Sequence, residues 1–321
     1  MTRGVNRAPA RLVPRSRWRS AVAALLVATA PAVAGDWGVW SDAPALPGPR
    51  AGMGGAELGG HIYLTGGVPG PEQVLSYDPN AGSWETRAPL PAPARAVAAV
   101  SAGGALYALG GFSPAGTPID AVSEYRPSTD RWRPRAALPT PRGALASVHI
   151  DGRIYAVGGV ESHGRPSAAL EVYDVLLNRW EPRASLPTAR GHLAAAALGG
   201  ELHVLGGRVE GTPPRSVAAH EVYDPQRNLW LERAPLTSPR SDLAAAVVRG
   251  RLYVFGGQAP DGPVVTVEAY DPRADRWVAL GTLPAPRREM AAVTAGDIVH
   301  LLGGFSGHAP TDKHEVYRPP S

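Results

Sequence analysis

Short apolar runs of about five residues, broken by turn residues, recur along this chain from near residue 39 to its end. One unit, residues 130–159, sets the order: Trp132, Leu138-Pro139, Arg142, a run of small apolar residues, a turn at Gly152, then Ile154-Tyr155 ahead of Gly158-Gly159. The repeated Trp stands at 40, 84, 132, 180, 230 and 277, and each precedes a Gly pair, beginning at 66, 110, 158, 206, 256 and 303, by 26 residues. Tyr77, Tyr125, Tyr173, Tyr223 and Tyr270 each precede the next Trp by 7 residues. A period of 44 to 50 residues identifies a repeat architecture.

Each unit predicts four strands. The first follows the Arg and is built from small residues, as in Leu193–Ala197 and Leu243–Val247. A tight turn follows, with Gly60, Gly104, Gly152, Gly200 and Gly250 in one slot and Asp297 in the last copy; such turns call for positive φ, which glycine reaches at little steric cost. The second strand carries Ile62-Tyr63, Leu106-Tyr107, Ile154-Tyr155, Leu202-His203, Leu252-Tyr253 or Val299-His300 and closes on Gly-Gly. The third ends at the Tyr, with Asp-Pro turns after Tyr77, Tyr223 and Tyr270. The fourth runs from the Trp to a Leu six residues on: Leu46, Leu90, Leu138, Leu186, Leu236 or Leu283. Even spacing with Gly and Pro turns predicts an all-β chain, and no window has helical periodicity.

The double glycine after an apolar strand, followed by Tyr and then Trp at fixed spacing, resembles the kelch repeat over roughly Trp37 to Arg318. The resemblance implies a six-bladed β-propeller with four antiparallel strands per blade around a central channel. The last copy ends at Tyr317-Arg318 without a fourth strand, while the chain has an unpartnered fourth strand around Trp40. The N-terminal strand is therefore predicted to complete the last blade, since open edges invite aggregation. The only length variation, 11 to 17 residues, lies between the first Gly of each pair and the Tyr. These loops leave on the same side as the Leu-Pro-x-x-Arg segments, so that side is the expected binding face.

Residues 1–34 change the charge picture. Six arginines and no acid precede the apolar run Ala21–Ala30, and Ala32-Val33-Ala34 offers a small-residue cleavage site. This order predicts a secretory signal, with the propeller spanning 35–321 and the product exported to a periplasm or beyond the cell. The apolar run is too short to span a bilayer, so no stable membrane insertion is expected after cleavage. Without those arginines the balance is 26 basic to 28 acidic residues, and Lys313 is the only lysine. No clustered basic face for nucleic acid results. The absence of cysteine excludes disulfides, thiol nucleophiles and the Cys-linked tyrosine copper site of galactose-oxidase-like propellers.

Two sets of positions are candidates for chemistry. Arg50, Arg142, Arg190, Arg240 and Arg287 fill one slot, with Ala94 in the second copy. They could form an anion trap at the channel mouth. Alternatively they pair inside the scaffold with Glu171, Glu221, Glu268 and Glu315, which stand two residues before the repeat Tyr. The positions just after the slot differ between copies: Ala51-Gly52, Ala96, Gly143-Ala144, Gly191-His192, Ser241-Asp242 and Arg288-Glu289. Arg142, Arg190, His192, Arg240, Asp242, Arg287, Arg288 and Glu289 are thus the candidate ligand-binding residues. His203 and His300 occupy a Tyr slot and are expected to pack between blades. His220-Glu221 and His314-Glu315 are strand neighbours facing opposite ways, which argues against joint metal ligation. No metal or cofactor is expected.

The expected function is a monomeric binding module whose ligand is a carbohydrate or a protein, held on the loop face. The alternative is a cofactor-independent sugar mutarotase or epimerase of the sialic-acid-mutarotase kind, with Arg clamping a carboxylate and His192, Asp242 or Glu289 moving the proton. A deep pocket where those three side chains converge within hydrogen-bonding reach would favour the enzyme, and a broad, shallow face would favour protein or glycan binding.

Overall fold

Four strands in chain order, Gly54–Leu58, His61–Thr65, Val74–Asp78 and Ser83–Arg87, hydrogen-bond side by side as the first antiparallel sheet. The computed structural model describes residues 1, 2, 4 and 37–320, and the predicted export segment falls outside them except for residues 1, 2 and 4. Four more sheets of the same order follow along the chain. The sixth combines Ala291–Ala295, Ile298–Leu302 and His314–Arg318 with Val39–Asp42 as its outermost strand. Trp40 faces Tyr317 there, the register by which Trp84 faces Tyr77. The predicted closure by the N-terminal strand is what the sheet shows. Residues 37–320 are therefore an all-β, six-bladed propeller.

The innermost strands carry small residues because they crowd together at the axis. A Cβ on Gly54 would stand 2.7 Å from the Ala99 Cβ of the second blade, and one on Gly55 would stand 2.9 Å from the Ala291 Cβ of the sixth. Second and third strands are buried, and rings from adjoining blades meet in the gaps. Tyr63 and Tyr125 lie 5.8 Å apart, Tyr107 and Tyr173 6.0 Å, and Tyr155 and Tyr223 6.2 Å. His203 and His300 take this place against Tyr270 and Tyr77, each at 6.0 Å, as expected for a Tyr slot.

The Gly pair holds neighbouring blades together. Gly111 N–H donates to the Arg142 carbonyl of the next blade at 3.0 Å, and a Cβ on Gly110 would stand 2.5 Å from that oxygen. Glycine is therefore required by contact as well as by φ. The same bond recurs around the ring and closes with Gly304 N–H to Arg50 O at 2.7 Å.

The fourth strands are shorter than predicted, ending at Arg87, Pro134, Pro182 and Glu232 in the first four blades. Past them the chain leaves the sheet: Ala136 N–H donates to Asn178 Oδ1 and Leu138 N–H to Asp120 O, both at 2.9 Å. The repeat Leu is buried between blades rather than extended on an edge. Extra two-stranded ribbons occur in the loops of blades four, five and six, at Arg208–Val209 with Arg215–Ser216, Gln258–Ala259 with Gly262–Pro263, and Phe305–Ser306 with Ala309–Pro310. Among the described residues the only helical turn is Ser162–Gly164, and no helix is long and apolar enough to cross a membrane.

Candidate functional site at the axial channel

Two residues past each Arg slot the backbone turns left-handed: Gly52, Ala96, Ala144, His192, Asp242 and Glu289 have φ between 50° and 64°. Each N–H donates to the carbonyl of its counterpart in the preceding blade. The bonds run Ala96 to Gly52 at 2.7 Å, Ala144 to Ala96 and His192 to Ala144 at 2.9 Å, Asp242 to His192 at 2.8 Å, and Glu289 to Asp242 at 2.9 Å. Gly52 N–H donates to Glu289 O at 2.9 Å and completes the circle. Positive φ at a residue other than glycine costs about 1 kcal/mol; five of the six positions accept it, because only this conformation directs both peptide groups along the circle.

The circle fixes six side-chain positions around one cavity of about 120 Å³, with Met53, Val97, Leu145, Leu193, Leu243 and Met290 completing its wall. Blades one to three contribute Gly52, Ala96 and Ala144, and blades four to six contribute His192, Asp242 and Glu289. One half of the wall is bare and the other carries titratable groups. A second cavity of about 430 Å³ shares His192 with the first, and is bounded by Arg208 and by loop residues including His163, Pro166, Glu210 and Pro214 of blades three and four.

His192 Nδ1 lies 2.6 Å from Asp242 Oδ1. The other carboxylate oxygen, Oδ2, accepts from Arg208 Nη2 at 2.8 Å and from Ser241 Oγ at 3.0 Å. Burial pushes the Asp242 carboxyl up, but His192, Arg208 and Ser241 together hold it below its ordinary value. Glu289 is pushed the other way. Burial raises it and the Asp242 charge adds to this, against His192, Arg288 and Arg95. Arg288 Nη1 is 2.9 Å from Glu289 Oε1. Arg95 and Arg288 are held at the rim over Phe112 and Phe305, at 5.1 and 4.8 Å from the ring centroids.

The candidate arginines divide. Arg288 reaches the rim. Arg142, Arg190, Arg240 and Arg287 do not line the cavity: they are 0 to 1% exposed and ion-paired with Glu171, Glu221, Glu268 and Glu315. Arg190 also donates to Gly206 O at 2.7 Å, Thr188 O at 2.9 Å and Val204 O at 3.2 Å. With four of its five donors engaged inside the blade and no exposed surface, it does not reach a ligand at the mouth. The slot is part of the scaffold, and the cavity's cations come from elsewhere.

Besides Arg95, the charged residue at this site that the candidate set left out is Arg208. It follows the Gly pair, in a slot that holds Val68, Phe112, Val160, Arg208, Gln258 and Phe305, and bridges to the residue after the Arg slot in its own blade. The signal was available, since this slot varies between copies as the His192 slot does. Among the described residues no group of three or more His, Asp or Glu could hold a metal ion.

Comparison with known proteins agrees with this architecture. The Kelch motif matches residues 93–139, 141–187 and 239–284. The solved structure described as "Structure of YjhT" superposes with a TM-score of 0.77 at 18% identity, covering 85% of this chain and 96% of that one. No curated protein matches the chain. The Kelch matches fall on blades whose strand order, Gly pairs and Tyr–Trp register recur around the whole ring. The chain is thus a six-bladed β-propeller that carries Kelch motifs, and it shares its fold with that solved structure.

Proposed function

We propose that the propeller binds a small acidic sugar at the axial mouth and catalyses exchange of its anomers without a cofactor. The observation that carries this reading is that His192, Asp242 and Glu289 line one cavity, where Asp242 is bonded to His192, Arg208 and Ser241 while Glu289 is partly buried beside the Asp242 charge. Such surroundings keep one carboxyl ionised to orient a base, here His192, and favour the protonated, acid form of the other. The cavities that adjoin at His192 suit a monosaccharide better than a protein surface.

Asp242, held by Arg208 and Ser241, accepts a hydrogen bond from His192 Nδ1, which leaves Nε2 to act as the proton acceptor in the proposed reaction. In the proposed reaction Nε2 takes the anomeric hydroxyl proton as the bond between anomeric carbon and ring oxygen breaks. Protonated Glu289 donates to that ring oxygen. Rotation of the open-chain carbonyl and reversal of both transfers give the other anomer, so protons and bonds balance. Arg95, Arg208 and Arg288 supply the cationic surroundings that favour a carboxylate-bearing sugar.

The test is exchange NMR on the purified protein with sialic acid and with glucose. Faster anomer exchange for sialic acid, lost in His192→Ala, is the expected result. Saturation transfer without faster exchange would reduce the site to a binding pocket. No transfer from either sugar would remove sugars from the axial mouth and leave a protein partner on the loop face.

A further inference from the structure

The repeat's buried ion pair is complete in four blades, absent in one and half-built in another. Blades three to six pair Arg142, Arg190, Arg240 and Arg287 with glutamates. Blade two has neither member, with Ala94 in the arginine slot and Ser123 in the glutamate slot. Blade one keeps the arginine, Arg50, at 3% exposure, but Leu75 stands where the glutamate belongs. Among the described residues no carboxylate pairs with Arg50.

Its guanidinium repeats the arrangement of blade six up to the missing charge. Arg287 donates from Nη1 to Gly303 O at 3.0 Å and from Nη2 to Glu315. Arg50 donates from Nη1 to Gly66 O at 2.8 Å, and its Nη2 meets only the neutral amide oxygen of Gln73. Its buried Nε has no partner, as is also true of Arg240 and Arg287, so the missing carboxylate is what sets it apart. Burial lowers the Arg50 pKa, with the charge of exposed Glu72 opposing. A cavity of about 280 Å³ opens beside this guanidinium, walled by Pro47, Pro49, Pro69 and Leu75 and edged by Gln73 and Thr86. It shares no lining residue with the axial cavity.

A buried cation without a counter-charge is costly, and a charge-assisted bond from guanidinium to carboxylate is the strong way to satisfy it. We infer that this cavity is a second, separate binding site, in which a ligand carboxylate displaces the exposed Gln73 amide and forms with Arg50 the ion pair that glutamate forms in the other blades. The proline and leucine walls call for a short apolar body behind the carboxylate. A small organic acid and the C terminus of a peptide both present that chemistry.

The test titrates the full chain with butyrate, with its neutral analogue butyramide, and with an N-blocked alanine tripeptide bearing a free or an amidated C terminus, followed by calorimetry. Saturable binding of butyrate in the millimolar range and none of butyramide is expected. Leu75→Glu and Gln73→Glu each supply the carboxylate from within, so each should weaken butyrate at least about tenfold, and Leu75→Glu should also raise the melting temperature. Tighter binding of the free-acid tripeptide than of butyrate would assign the site to chain termini; weaker binding would assign it to small acids. His192→Ala should leave butyrate affinity unchanged, which separates this site from the axial one. Equal binding of butyrate and butyramide, no binding of either, or unchanged butyrate affinity in both glutamate variants would overturn the assignment.

Discussion

Asp242 and Glu289 have nearly the same chemistry and sit in one cavity, yet their neighbours push them apart. Arg208, His192 and Ser241 converge on Asp242, whereas burial and the Asp242 charge act on Glu289. On the proposed reading, Glu289→Gln removes the acid and Asp242→Asn removes the partner that fixes the His192 tautomer. Each should slow anomer exchange about 100- to 10,000-fold while leaving far-UV circular dichroism unchanged. Since Glu289 must be protonated to donate, exchange should fall as pH rises through its raised value, and that alkaline fall should vanish in the Gln variant. The slot arginines predict a different outcome. Glu221→Gln leaves Arg190 buried without a counter-charge, which costs about 3 to 5 kcal/mol, read as a loss of stability in denaturant unfolding. At this scale His192, Asp242 and Glu289 were legible because they break a repeat. The slot arginines were legible in part: the glutamates two residues before the repeat Tyr of blades three to six marked their buried partners, whereas the alternative of an anion trap at the mouth did not hold.

Strands and loops were more legible than side chains. Spacing alone placed the Trp and Tyr of each blade, and in the sixth it paired residues at opposite ends of the chain, Trp40 with Tyr317. That closing strand also holds the first blade, since Trp84 Nε1 donates to Pro44 O at 3.0 Å and His314 Nδ1 donates to the same carbonyl at 3.0 Å. Removal of residues 1–42 should therefore expose the His314–Arg318 edge and produce oligomers in size-exclusion chromatography. A monomer as stable as the full chain would contradict this. The early end of the fourth strands was not legible. Edge residues with a Pro nearby read as strand until the next blade's Asn178 or Asp130 is seen taking the backbone N–H.

Across the whole ring, two buried histidine pairs make stability depend on pH. His220 Nδ1 donates to Ala234 O at 3.3 Å, so its Nε2 accepts from His203 Nδ1 at 2.9 Å. In blade six His314 Nδ1 donates to Pro44 O, and its Nε2 accepts from His300 Nδ1 at 2.8 Å. Each acceptor nitrogen must be unprotonated. Burial holds His203, His300 and His314 down at about 4 and His220 at about 3. The unfolded chain, with histidines near 6.5, binds these protons first, so stability is full above pH 6.5 and is lost as pH falls toward 4. The slope is about 1.4 kcal/mol per pH unit for each histidine while the folded ring stays neutral. Denaturant midpoints at pH 7 and pH 5 should differ clearly, and the double variant His203→Tyr with His220→Val should reduce the difference. Equal midpoints would show that these rings charge without cost.

Read alone, the sequence determined the number of blades, their strand order, the closing strand and the variable positions at the mouth. All of these follow from spacing, which a repeat imposes on every copy alike. Tertiary structure decided which charges meet. The circle of backbone bonds brings His192, Asp242 and Glu289 to one cavity from positions 50 and 47 residues apart. Arg208 reaches Asp242 from a neighbouring blade, and the slot arginines lie buried away from the channel. Burial, and the neighbours that meet across blades, depend on how the sheets pack, and position along a chain does not carry them.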